Sequence, residues 1–397
     1  MPNNILVKGF LGAGTHCGIK ENGGNDLSLI FSTVKATSIG VFTKNIFKAA
    51  PVELDIERLK SGFAQAIITN SGNANAATGE RGMRDAKEMS SAVARKLKID
   101  DELVLVASTG IIGKPLPITK IKTGANKIVP LLNSMGIPKA QEAMMTTDKF
   151  PKISHSKGII GGKEVNLCTI AKGAGMIHPN MATLLSYTLT DVSIDSSLLK
   201  KVFRSVVDKT LNAISVDGCM STNDTAIIMA NSCAENKQIK GAGASLSVFQ
   251  NMLSNSLSEV AQMIVADGEG ATKIIEIIVS NAQSSADAKI VAESIGNSNL
   301  VKTAFYGCDS NLGRIVGAIG ASGAKFIPTE VSIKLEHLKI FANGISIVNN
   351  QKELAEIMKL KKIQVAVSLG KKSKHTWRIL ASDLTHDYVT INAHYHT

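Results

Sequence analysis

Hydrophobic and polar positions follow a mixed rhythm along the chain. LSLIFST and ATSIGVFT (27–43) read as paired strands, and AQAIITNSG (64–72) as a third that runs into a loop of small residues. Residues 81–98 put Met83, Ala86, Met89, Val93 and Leu97 on one helical face. LVLVAS (103–108) predicts a short buried strand ending at Thr109-Gly110, and 117–134 predicts a helix. GGKEVNLCTIAKG (161–173) reads as a turn and strand. TLLSYTLTD follows as a second strand, then a helix near 194–208, the strand AIIMANS (226–232), and a helix from about 244 to 266. KIIEIIV (273–279) is a strand, 283–296 a helix, and VKTAFYG a further strand. The last 70 residues read as an α+β module with a short helix near 351–358 and a strand-like tail, HDYVTINAHYHT. Residues 1–26 read as loop. Without a strict β-α-β alternation, the order predicts α+β layers, an α/β layered sandwich, instead of a doubly wound parallel sheet.

The 397 residues are enough for about two domains. Aromatic residues are only 4% of the chain, which suits close-packed layers and excludes a base-stacking nucleic-acid binder. The net charge of +11 is scattered, with one run at 359–374 that a strand pattern interrupts, so it predicts a basic surface with mild attraction for carboxylates. The five cysteines form no C-x-x-C pair and read as reduced thiols of a cytoplasmic protein. MPNNILVKGFLGAG reads as too short and too polar for a signal peptide, and no apolar run reaches the roughly 18 residues of a membrane helix.

Candidate chemistry concentrates in KGAGMIHPNMATLLSYTLTD (172–191). Two glycines around Ala174 permit a tight backbone path. Ala182-Thr183, where a loop becomes a strand, has the residue types of a self-cleaving N-terminal nucleophile. Cleavage would free an α-amine on Thr183, whose ordinary pKa of about 8 lets it serve as base for its own hydroxyl. The residue types alone more readily describe a Gly-Pro loop feeding an ordinary buried strand. Thr109-Gly110 reads either as a strand-ending turn or as a hydroxyl and an unencumbered N–H suited to an oxyanion. Lys172 reads as a solvated loop lysine or as a substrate cation.

KGAGMIHPNMATLL resembles the signature of the glutamate N-acetyltransferase / ornithine acetyltransferase family. VFTKN (41–45), KAAPV (48–52), TNSGNANAATG (69–79), STGIIG (108–113), MTTD (145–148), SVDGCMSTNDT (215–225), DGEGATK (267–273), VKTAFYGCDSNLGRI (301–315) and DLTHDYVTINAHYHT (383–397) extend the resemblance over nearly the whole chain. It implies two α/β domains and self-cleavage between Ala182 and Thr183. The products would be an N-terminal (α) chain over 1–182 with the oxyanion loop, and a C-terminal (β) chain over 183–397. The latter would begin at the nucleophile, carry a terminal α+β module from about 280, and assemble as an α2β2 heterotetramer. The activity implied is ping-pong transfer of acetyl from N2-acetyl-L-ornithine to L-glutamate in cyclic arginine biosynthesis, with acetyl-CoA as a further donor in some members. No metal or organic cofactor is implied. Thr183 would be the nucleophile and Thr109 with Gly110 the oxyanion hole. Thr146, Lys172, Thr183, Glu269, Asn392 and Thr397 would contact substrate, with Asp267 structural.

The tail departs from the family's pattern at His394 and His396, and Leu312 stands where the family usually has Trp. The two histidines would share a strand face, but they lack a further ligand for a metal. Ser154–Lys157 (S-x-x-K) and Lys122–Gly124 (K-T-G) come in the wrong order for a penicillin-interacting enzyme, and no S-D-N lies between them. GAG at 12–14 does not complete a dinucleotide fingerprint. The alternatives that remain are an N-terminal-nucleophile amidase or aminopeptidase, a secondary-metabolism acetyltransferase, and a non-catalytic basic binding protein.

Overall fold

A computed structural model of the chain describes residues 6–178, 184–311, 313–347, 350–370 and 373–394. In chain order its strands are β1 Phe10–Thr15, β2 Leu27–Phe42, β3 Phe63–Asn73, β4 Val104–Ile111, β5 Lys152–Ile160, β6 Lys163–Lys172, β7 Leu185–Thr190, β8 Ile214–Ser215, β9 Thr225–Ala230, β10 Ile274–Ser280, β11 Ser332–Leu335, β12 Leu338–Ala342, β13 Ile345–Ser346, β14 Lys362–Ser368 and β15 Trp377–Ser382. The α-helices are α1 Ala50–Arg58, α2 Gly79–Leu97, α3 Ile118–Ile128, α4 Ile137–Met144, α5 Ser196–Lys209, α6 Ala244–Ala266, α7 Ser285–Gly296, α8 Asn299–Tyr306, α9 Gly313–Gly320, α10 Gln351–Met358 and α11 His386–His394.

Two mixed sheets organise these elements. The first runs β4-β3-β2-β9-β7-β6-β5, with β1 on β2. The second runs β13-β12-β11-β14-β10-β15-β8. Parallel pairs (β3/β4, β7/β9, β10/β14, β15/β8) sit among antiparallel ones, so the layers are α+β as expected. Central strands β7 and β9 are buried at every position, and this explains their nearly unbroken apolar or small-polar sequence. Along β6, Val165, Leu167 and Ala171 meet the layer of α5 and α6, while Cys168 and Ile170 point to the opposite face with α4. In the second sheet, Ile275, Ile277 and Val279 of β10 pack under α7 to α10. Glu276 on the other face pairs with Arg378 at 2.5 Å and Lys362 at 3.3 Å.

The first sheet draws β1–β6 from before residue 182 and β7 and β9 from after residue 183. Among the described residues, no helix is long and apolar enough to cross a membrane.

Five local expectations are corrected. Within 27–43 there is one 16-residue strand, Leu27–Phe42, with a register shift between Phe31 and Ala36, not two. The GAG segment is strand β1, not loop. Its glycines let α4 lie against it: a Cβ at Gly14 would stand 2.1 Å from the Lys139 carbonyl oxygen. The strand expected to end at 108 continues to Ile111, because β3 supplies a parallel partner as far as Asn73. VKTAFYG is helix α8. Ser298 caps the Val301 N–H, and Val301, Ala304 and Phe305 share a buried helical face, which outweighs their strand propensity. The tail is helix α11, started where the Thr385 hydroxyl accepts the Tyr388 N–H at 3.3 Å. His394 is therefore on a helix; His396 lies outside the described residues.

Gly14→Ala should destabilise the fold by about 1–3 kcal/mol through overpacking. Gly317→Ala, in α9 with open space around it, should stabilise by about 0.5–1 kcal/mol. Urea-unfolding midpoints check both, and equal shifts would contradict this account of α4 packing.

Candidate active site

The site begins where β3 and β4 run out together. Their parallel register places Ser71 beside Thr109 and Gly72 beside Gly110. Gly110 has φ +134°, and a Cβ there would lie 2.3 Å from the Gly72 carbonyl carbon, so this strand end accepts only glycine. Asn223 ties the neighbouring loops down by donating to Ala74 O at 2.6 Å and Ser108 O at 2.8 Å.

Lys172 ends β6 and is buried, not solvated. Its Nζ donates to Thr109 Oγ1 at 3.2 Å. With that oxygen accepting from an ammonium, the Thr109 hydroxyl hydrogen is left to donate elsewhere. Burial lowers the Lys172 pKa, and the Asp148 charge opposes the fall.

Asp148 is the hub of the site. One carboxylate oxygen accepts Gly173 N–H at 2.7 Å and Lys152 Nζ at 2.6 Å, and the other accepts Thr146 N–H at 3.0 Å. It thus fixes both the MTTD turn and the start of the KGAG loop. Lys152 is wholly buried and also meets Asp267 at 2.5 Å, while Asp267 accepts the Lys149 N–H. Burial would raise the Asp148 pKa, but Lys172, Lys152 and the Gly173 N–H hold it down at about 2. Asp267, at the other side of Lys152, is shifted upward by burial.

Glu269 follows α6. Its N–H donates to Ala174 O at 2.9 Å, and its carboxylate lies so close over Gly175 that a Cβ there would be 2.5 Å away. Asn392 on α11 donates to Glu269 Oε2 at 2.9 Å, across 123 positions of sequence. Asp217 accepts the N–H groups of Met176 and Ile177, and the Tyr388 hydroxyl donates to it at 3.3 Å. Burial and then Asp217 push the Tyr388 pKa up.

Leu184 N–H donates to Asp224 Oδ1 at 3.2 Å. Asp224 is fully buried, and its pKa is raised well above the usual carboxylate range by burial. The Leu184 N–H, the nearby Thr43 and Ser221 hydroxyls and the Lys172 charge oppose that rise only in part. Thr109, Lys172, Leu184, Leu185, Asn223 and Asp224 line a small cavity here.

On the open side, Gly110 and Thr146 line a cleft of about 580 Å³, walled by residues 19–22, Gly24, Asn25, Lys114 and Glu142. The wall is shaped by Asp26, whose buried carboxylate accepts four successive N–H groups, Cys17 to Lys20, at 2.6–3.1 Å. Burial alone would raise its pKa; the N–H donors reverse this and lower it. Lys20 Nζ donates to Asn25 O and Met145 O, and burial lowers its pKa.

The structure therefore joins Thr109, Gly110, Thr146, Lys172, Glu269 and Asn392 through direct contacts and the shared Asp148. Thr183, Ala182 and Thr397 lie outside the described residues. Asp148, Lys152, Asp224 and the Asp26–Lys20 wall were not anticipated. Asp148 and Asp224 did stand in quoted motifs, MTTD and SVDGCMSTNDT, but a lone aspartate at a turn carries no signal of what it will face. No group of three or more potential metal ligands occurs among the described residues.

The model of the ArgJ family matches residues 12–397. The chain is 47% identical to the arginine biosynthesis bifunctional protein ArgJ of Caldanaerobacter subterraneus subsp. tengcongensis, with 99% of this chain and 98% of that one covered. It is 44% identical to that of Geobacter sulfurreducens, with 98% and 100% covered. The crystal structure of the Bacillus halodurans ArgJ protein is similar to it at 34% identity and a TM-score of 0.51, over 53% of this chain and 98% of that one.

The depressed Asp148 pKa stabilises the fold above about pH 4 by about 2 kcal/mol, and this is lost as pH falls toward about 2. Asp148→Asn should flatten the stability curve in that acid window when urea midpoints are compared across pH.

Proposed function

Because the chain belongs to the ArgJ family, we propose that it moves acetyl from N2-acetyl-L-ornithine to L-glutamate in arginine biosynthesis, through an acetyl ester on Thr183. Self-cleavage between Ala182 and Thr183 precedes turnover. The observation that carries this reading is the buried Lys172–Thr109 pair beside Gly110, at the end of the strand whose loop leads to Thr183.

The steps balance. The freed α-amine of Thr183 takes the proton of its own hydroxyl as Oγ attacks the acetyl carbon. The tetrahedral oxyanion is met by the Thr109 hydroxyl, polarised from behind by the Lys172 ammonium, and by the Gly110 N–H. Collapse expels the ornithine α-amine with the proton and leaves the acetyl ester. The glutamate amine then attacks that ester, and its surplus proton returns to the Thr183 hydroxyl through the same amine. Glu269, steadied by Asn392, offers a carboxylate to the side-chain ammonium of ornithine. The Thr146 hydroxyl and Thr397 complete the substrate contacts.

Two facts support the cut into chains of 1–182 and 183–397, assembled as α2β2. The Bacillus halodurans chain is 98% covered by 53% of this one, the extent expected of one product of a cut near the middle. Strands from both sides of the cut interleave in the first sheet, so the products would stay together.

Thr183→Ala should remain a single chain on a denaturing gel, and wild type should yield a fragment whose N-terminal sequence begins at Thr183. Wild type given acetylornithine without glutamate should carry one acetyl group on that residue by mass spectrometry. Free acetate released regardless of glutamate would instead identify a hydrolase. Lys172→Met should lower kcat by roughly 10²–10³, as for loss of one oxyanion donor.

A further inference from the structure

Acetylornithine and glutamate share an α-carboxylate and a reacting α-nitrogen. They differ at the far end, where one carries an ammonium and the other a carboxylate. In the transfer proposed above, Glu269 with Asn392 meets the ammonium. A glutamate side chain set in the same place would bring two carboxylates together, which is costly wherever water is excluded. A centre that serves both substrates therefore needs a second seat with a cation in it.

The cleft lined by Gly110 and Thr146 holds one, and neither Glu269 nor Asn392 lines that cleft. The stem of Lys20 lies over the paired strand ends: a Cβ at Gly72, the partner of Gly110, would stand 3.5 Å from Lys20 Cγ. Its Nζ donates to Met145 O at 2.7 Å, one residue before Thr146, and to Asn25 O at 2.8 Å. An ammonium has three N–H groups, and among the described residues the third has no partner. The carboxylates whose field reaches it are committed elsewhere, Asp26 to four N–H groups and Asp148 to Lys152 and two more. Glu142 of the cleft wall pairs with Lys139 at 3.0 Å, and Glu21 is exposed. Lys114, the other lysine of the wall, is exposed, and no hydrogen bond among the described residues fixes its ammonium. Burial lowers the Lys20 pKa against the field of Asp26, and Lys172 adds to the fall, so this cation gains when an anion arrives.

We infer that Lys20 is a specificity-determining residue: its ammonium holds the side-chain carboxylate of glutamate in the cleft beside Gly110 and Thr146, while Glu269 with Asn392 keeps the side-chain ammonium of ornithine. This rests on the transferase reading. The two backbone carbonyls fix the ammonium before the substrate comes, so little side-chain freedom is lost on binding. No covalent bond beyond those of the transfer is made or broken.

In a ping-pong scheme kcat/KM for each substrate reports its own half-reaction, so the two seats are read separately. Lys20→Met keeps an unbranched stem and removes the charge. It should lower kcat/KM for glutamate by roughly 10–100-fold, the range for a hydrogen bond to a charged group. kcat/KM for acetylornithine should change by less than about threefold. Glutamine, the same shape without the charge, separates recognition from a disturbed wall. Wild type should favour glutamate over it, Lys20→Met should lose that preference, and Lys20→Arg, which keeps a cation, should retain it. Equal losses for acetylornithine and glutamate would place Lys20 at the α-carboxylate that both share and overturn the inference. An unchanged glutamate constant, or an unchanged preference over glutamine, overturns it too. If Lys20→Met does not fold, crystals of wild type soaked in glutamate well above its KM decide. A side-chain carboxylate within hydrogen-bond distance of Lys20 Nζ supports the inference, and any other result overturns it. Wild type that moves no acetyl from acetylornithine to glutamate would instead sink the transferase reading itself.

Discussion

One buried carboxylate holds the site together. Asp148 lies fully inside the protein between two lysines, Lys152 by direct contact and Lys172 by field, and its oxygens also take N–H groups from the MTTD turn and the KGAG loop. Charges removed from water are costly, and a buried ion pair is retained only when every partner is satisfied. Here the satisfaction is geometric: the same three hydrogen bonds that offset the desolvation fix Thr146 and Gly173 relative to each other. Lys152 extends the constraint to Asp267 and so to the loop that carries Glu269. Breaking the hub would loosen the MTTD turn, the KGAG loop and the cation behind Thr109 at once.

The opposite side of the site uses backbone instead of charge. Gly72 and Gly110 let two parallel strands end in contact with no side chain between them, and Gly175 lets the Glu269 carboxylate rest on the KGAG loop. Asp26 gathers four N–H groups and turns residues 17–20 into a wall of the cleft. These arrangements need close approach more than they need any particular chemistry. They leave the Thr109 hydroxyl against the buried Lys172 ammonium, in a low-dielectric surrounding where preorganised donors act most strongly.

The interleaving of strands explains how a chain can be opened in its middle and keep its shape. β7, which begins two residues after the expected cut, hydrogen-bonds β6 along one edge and β9 along the other. Its six buried residues hold this stretch of chain in the first sheet. A nucleophile at the start of such a strand has a rigid base, as precise positioning of a reacting group requires.

The sequence alone determined the layered α+β class, most helices, and the segments that carry the chemistry. Periodicity reports which face of an element is buried, and residues such as Gly110 or Glu269 stand in recognisable local patterns. It could not determine that VKTAFYG and the tail coil into helices, since a capping hydroxyl and neighbouring surfaces decide between propensities that nearly balance. Nor could it reveal that Lys172 is buried against Thr109, that Asn392 reaches Glu269, or that Asp148 and Asp224 face the site. Those facts depend on which strands lie side by side, and a contact between residues more than a hundred positions apart leaves no mark on either one's local sequence.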